Sequence, residues 1–164
     1  MANIIVIRNT YGGTEYLQNA LAYVSDNRAY YSGGIGVDPY DPNFAYNQML
    51  YTRQYFGKVG GNPLVHFVIA YNDKITDIEQ AANFTEKCAK LLGANFQILY
   101  CTHYKDTYCG CLHGHIVANS VSFKNGMMIR TGHTEMQAFC DQVSAITGQK
   151  CRFFFENKAV YSGV

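Results

Sequence analysis

With 164 residues, 48% of them hydrophobic and 15% charged, the chain can bury one sizeable core and is too short for two ordinary domains, so residues 1–164 are read as a single domain. A formal net charge of +1 gives no sign of a strongly polyanion-seeking tail, and any grip on nucleic acid must come from a local patch. No apolar run approaches a membrane span, and MANIIVIRNT lacks the basic start and apolar core of an export signal. The six cysteines are therefore expected as reduced thiols in a cytoplasmic protein.

Residues 3–7 are β-branched and uninterrupted, which predicts a buried strand. After a turn at Gly12-Gly13, the residues Tyr16, Leu17, Ala20, Leu21 and Val24 recur at helical spacing, in a helix ending near Ser25-Asp26 with Tyr23 in its last turn. Residues 30–40, rich in Gly and Tyr, read as a loop. Asp41-Pro42 supplies an N-cap followed by proline in the first turn, for a helix that stops at Gly57. Residues 65–71 read as a strand. Thr76 and Glu79 have the spacing of a capping box opening a helix to Leu92, with Gly93 as its C-cap. Strands follow at 96–102 and 112–123, then a turn at 124–126. A second capping box, Thr134 to Gln137, opens a helix ending before Gly148, and residues 151–155 close as a strand. Strands and helices in this order predict an α+β fold, a largely antiparallel central sheet covered by helices in a two-layer or sandwich arrangement.

The stretch Cys109-Gly110-Cys111-Leu112-His113-Gly114-His115 carries the chemistry. Residues two apart on a strand share a face, so His113 and His115 stand side by side. If the strands ending at 102 and starting at 112 pair as a hairpin, His103 lies beside His113. Three neutral imidazoles can hold a divalent metal with positions left open for substrate. A structural histidine pair is the plain alternative. A zinc knot of Cys109, Cys111, His113 and His115 is a third, although four alternate residues of one extended segment wrap a tetrahedron poorly. Cys88 and Cys140 fall on apolar helix faces and are read as core, and His66 at a strand start as structural.

Read outward from these histidines, His113 to Val121 with His103 upstream resembles motif III of the conjugative relaxases, mobilisation nucleases of the HUH superfamily. Leu21 to Asp26 is similar to their segment holding a nucleophilic tyrosine, His66 to Tyr71 to the motif II strand, Asp38 to Gly57 to the preceding helix, and Thr134 to Gly148 to the helix after motif III. Two positions depart from the pattern. Ala70 stands where a serine is common, and the ten-residue gap from His103 to His113 carries an apparent Tyr-Cys-Gly-Cys insertion.

The resemblance implies an HUH relaxase fold and a tyrosine-dependent DNA nicking and joining enzyme. Tyr23 would attack a phosphate of single-stranded or hairpin DNA at an origin of transfer, leaving a 5′-phosphotyrosyl link. His103, His113 and His115 would hold Mg²⁺ or Mn²⁺, or another transition metal, and Asp106 would orient an imidazole from outside the metal's ligands. Accessory relaxosome proteins are the implied partners, with no membrane. A rolling-circle replication initiator, or a DNA-binding module of this fold that does not cut, are the alternatives. Relaxases usually continue into further domains, so the chain is read as a nuclease domain, excised or naturally minimal. Arg28, Arg53 and Lys58, interleaved with Tyr30 and Tyr31, have the composition of a backbone-tracking, base-stacking patch.

Overall fold

Six strands form one sheet in the order β2-β4-β5-β3-β1-β6 in the computed structural model, which describes residues 1–7, 14–26 and 28–156. The strands are β1 (Ala2–Ile7), β2 (Ala29–Ile35), β3 (Leu64–Ala70), β4 (Ile98–His103), β5 (His113–Asn119) and β6 (Cys151–Glu156). Every pairing is antiparallel except β1 with β6, which run parallel. The three central strands β3, β4 and β5 are buried along their whole length. Their apolar residues therefore serve two cores, one on each face.

Helices α3 (Ile78–Gly93) and α4 (His133–Thr147) cover one face, where Val65, Phe67, Ile69, Ile98, Tyr100, Ile116 and Ala118 pack against Cys88, Ala89, Phe139 and Val143. Helices α1 (Thr14–Val24) and α2 (Pro42–Tyr55) cover the other, burying Leu17, Leu21, Val24 and Met49 against Leu64, Leu99, Cys101 and Val117. Each fully buried Leu or Val contributes roughly 1.5–3 kcal/mol. Alternation along β5 thus sends His113 and His115 toward α1 and sends Gly114 toward α3. A Cβ on Gly114 would lie 2.3 Å from Thr85 Oγ1, so the glycine between the histidines is what lets α3 pack down on the sheet.

The α+β architecture follows the sequence reading, as a three-layer sandwich. Several boundaries differ. Residues 30–35, expected within a loop, belong to the edge strand β2 because Gly33 leaves room for the Tyr100 ring, whose Cζ would stand 2.3 Å from any Cβ there. The strand expected over 112–123 ends at Asn119, after which Val121 bridges Met128 around the turn at Gly126. Neither predicted capping box forms. Asp77 caps α3 by accepting the Glu79 N–H at 3.0 Å, and α4 starts from Gly132 without a side-chain cap. Asp41 does cap α2, accepting from Asn43 and Phe44. The expected Gly12-Gly13 turn lies outside the described residues.

Candidate active site

The antiparallel register of β4 and β5 puts His103 directly across from His113, and Cys101 across from His115. All three histidines are fully buried on the α1 face. Their rings pack at centroid distances of 5.4 Å (His103 and His113), 4.4 Å (His103 and His115) and 5.0 Å (His113 and His115). One nitrogen from each ring lies within 4.8 Å of the others, the only such His, Cys, Asp or Glu cluster among the described residues.

In each ring the second nitrogen is already engaged. His103 Nε2 is 3.2 Å from the Val24 carbonyl, an acceptor left open at the end of α1. His113 Nδ1 is 2.8 Å from the Cys111 carbonyl, and His115 Nδ1 is 2.9 Å from His66 Nε2. A carbonyl can only accept, so His103 carries its proton on Nε2 and His113 on Nδ1. The nitrogens left over, His103 Nδ1, His113 Nε2 and His115 Nε2, are buried without a hydrogen-bond partner. Buried polar atoms are seldom left so, and three converging lone pairs are the donor set of a divalent metal. Burial lowers the pKa of His103, and burial with three neighbouring imidazoles holds His115 well below the ordinary value. The neutral form that binds metal is the form the fold selects.

Asp106 closes the fourth side. Its Oδ1 accepts the Tyr108 and Cys109 N–H groups at 3.0 and 2.9 Å, shaping the loop between β4 and β5. Its Oδ2 makes no hydrogen bond and lies 3.3 Å from His113 Nε2 and 3.8 Å from His103 Nδ1. The Cys109 and Cys111 sulfurs are 3.9 Å apart, outside the cluster, so what Cys111 gives the site is its carbonyl.

Tyr23, in the last turn of α1, lies beside these rings, 5.7 Å from His115 edge-on and 6.4 Å from His103. The Val24 carbonyl next to it receives Cys101 Sγ at 2.6 Å as well as His103, so the helix end is fastened to β4. Arg28 stacks its guanidinium 4.5 Å above the Tyr23 ring and forks onto Asp26. Burial raises the Tyr23 pKa, and the Arg28 cation works against that shift.

The other expected site residues divide. Tyr30 is exposed, in edge-to-face contact with Tyr104 at 5.9 Å, and it lines a cleft of about 490 Å³ with Arg28, Ala29, Tyr104, Lys105 and Asp106. Tyr31, also exposed, lies against Tyr100. Arg53 is only 2% exposed. Its guanidinium is used on Ser120 Oγ and the Gly60 carbonyl, where β5 ends, and Lys58 reaches the Gly126 carbonyl. These two are not brought to the histidines.

Tyr104, Lys105 and Tyr108 carry no mark in the sequence, because only the folded loop returns them to the site. Tyr108 stands 6.4 Å from His115, with its hydroxyl buried and without a hydrogen-bond partner.

A family model described as "Relaxase: MobA/VirD2-like, nuclease domain" matches residues 16–148. Among solved structures, a chain from one described as "Molecular Basis of Vancomycin Resistance Transfer in Staphylococcus aureus" superposes with a TM-score of 0.60 over 97% of this chain and 99% of that one. At 10% identity the likeness is one of fold. No curated protein matches significantly.

Proposed function

The chain belongs to the MobA/VirD2-like relaxase nuclease domains, and on that premise we propose that it nicks and rejoins single-stranded DNA at an origin of transfer, with Tyr23 as nucleophile. The observation that carries this reading is the Tyr23 ring set against three buried histidines whose open nitrogens converge.

His103, His113 and His115 would hold Mg²⁺, Mn²⁺ or another transition metal, which polarises the scissile phosphate and screens its developing charge. The chain's own groups do the rest. Tyr23 Oη forms a bond to phosphorus as the bond from phosphorus to the 3′ oxygen breaks; the phenolic proton passes to water and the departing oxygen takes one up. Phenolate is an adequate nucleophile and a good leaving group, so the link can be reversed to rejoin the strand. Arg28 favours the ionised phenol through its charge.

Asp106 faces the metal side of His103 and His113, where its carboxylate orients them or joins their ligand set. The cleft of Arg28, Tyr30, Tyr104 and Lys105 opens beside Asp106, and it pairs cations for a phosphate with ring surfaces for a base. Labelled single-stranded DNA carrying a candidate origin, incubated with Mn²⁺ and again with chelator, tests the reading. Cleavage that chelator abolishes supports it. Tight binding without cleavage under any metal points to a DNA-binding module instead.

A further inference from the structure

The partners that orient the three histidines are not alike. His103 and His113 meet backbone carbonyls, whereas His115 meets another imidazole. His66 stands opposite Val117 in the β3 and β5 register, so its ring reaches diagonally across the strand pair to His115. The two rings are fully buried, with centroids 5.1 Å apart, planes inclined by 50°, and His66 Nε2 2.9 Å from His115 Nδ1.

We infer that His66 is a positioning residue for the metal centre, accepting the Nδ1–H of His115 on its own Nε2 and thereby holding the His115 Nε2 lone pair toward the cluster. The inference rests on the metal-site reading above and extends it to a residue outside the three ligands. An imidazole offered to a cation must present a bare nitrogen; because His115 Nδ1 faces His66, the nitrogen left for the cluster is Nε2, and its one proton then sits on Nδ1. At 2.9 Å that proton needs an acceptor, which leaves His66 Nε2 bare and the His66 proton on Nδ1. The opposite arrangement, with His66 Nε2–H donating to His115 Nδ1, forces the His115 proton onto Nε2 and closes the third position. A carbonyl cannot make that error, but an imidazole can. The tautomer of His66 thus decides whether the cluster has three open nitrogens or two.

Two variants and one measurement on the unaltered protein test this. His66→Leu removes the acceptor and keeps an apolar side chain; His66→Gln keeps an acceptor oxygen. Loss of an outer partner typically costs 10–100-fold in metal affinity. Calorimetric titration with Mn²⁺ should show a loss of that size in His66→Leu and, in His66→Gln, a value within about threefold of the parent protein. Circular dichroism controls for folding. In the unaltered protein loaded with diamagnetic Zn²⁺, ring ¹⁵N shifts should report His66 bare at Nε2 and His115 protonated at Nδ1. Unchanged affinity in His66→Leu overturns the inference, as does equal damage in both variants. A protonated His66 Nε2 in the Zn²⁺ form, or no metal binding by the parent protein, overturns it too, and the ¹⁵N shifts decide alone if the leucine variant does not fold. Parent protein that binds Mn²⁺ but never cuts DNA defeats the nuclease reading and leaves this one standing.

Discussion

Arg28 lies over Tyr23, its guanidinium carbon 4.5 Å from the ring centroid, while the same guanidinium forks onto Asp26. The cation is thereby held against the proposed nucleophile and opposes the upward shift that burial imposes on the phenol. Removing it in Arg28→Met leaves burial and the Asp106 and Asp26 charges, all of which raise the Tyr23 pKa. The rise of nicking rate with pH should move to more alkaline values, with the deficit largest near neutrality. An unshifted pH profile at reduced rate would show that Arg28 acts on DNA binding instead.

Acid should weaken the metal-free protein. His66 is pushed down to about 3 by burial, and His103 and His115 are also lowered. In the unfolded chain each histidine titrates near about 6.5. Below that pH the unfolded state takes up protons the folded state refuses. The stability is fully present above about pH 6.5 and is lost as pH falls toward the folded values, by up to about 1.4 kcal/mol per pH unit for each histidine. Urea midpoints compared at about pH 7 and about pH 5.5 should differ in that direction.

Gly114→Ala places a methyl group 2.3 Å from Thr85 Oγ1 and 2.7 Å from its Cγ2, with Thr85 itself bonded to Tyr71 at 2.7 Å. The helix must shift or the strand must bend. A loss of about 1–3 kcal/mol is expected in chemical unfolding. Because the two flanking histidines ride on this strand, metal affinity should fall with it.

The cleft beside Asp106 predicts separable contributions from Tyr104 and Lys105. Tyr104→Ala removes a stacking face and should cost roughly 1–3 kcal/mol of single-stranded DNA affinity, largely independent of salt. Lys105→Ala should weaken binding less at high salt than at low salt, lowering the salt-dependence slope by about 1. Fluorescence anisotropy over a salt series distinguishes the two.

The histidine cluster was visible in the sequence because β alternation is local: His113 and His115 share a face whatever they pack against, and a short connection put His103 beside them. His66 was not visible. Its partner is set by the pairing of β3 with β5, 49 residues away, and a lone histidine in an apolar strand carries no mark of that pairing. Arg53 failed in the opposite direction. A basic residue near the end of an amphipathic helix reads as surface, yet here it is buried to hold the Gly60 carbonyl and Ser120. β2 was hidden by its own glycines, which composition assigns to loops and the Tyr100 ring requires. The first capping box does not form because Asp77, one position on, is a competing acceptor, and the second because α4 already begins at His133, ahead of Thr134.

Whether Tyr23 forms the covalent link is read by mass spectrometry of the protein after incubation with single-stranded DNA and Mn²⁺, comparing the parent chain with Tyr23→Phe. A covalent adduct is expected in the parent, carried by a Tyr23 peptide bearing a 5′-phosphate, with no adduct in the variant while DNA binding persists. An adduct on another tyrosine, or one that survives Tyr23→Phe, would contradict the assignment of the nucleophile. DNA binding with no adduct on any residue would contradict the strand-transfer chemistry itself.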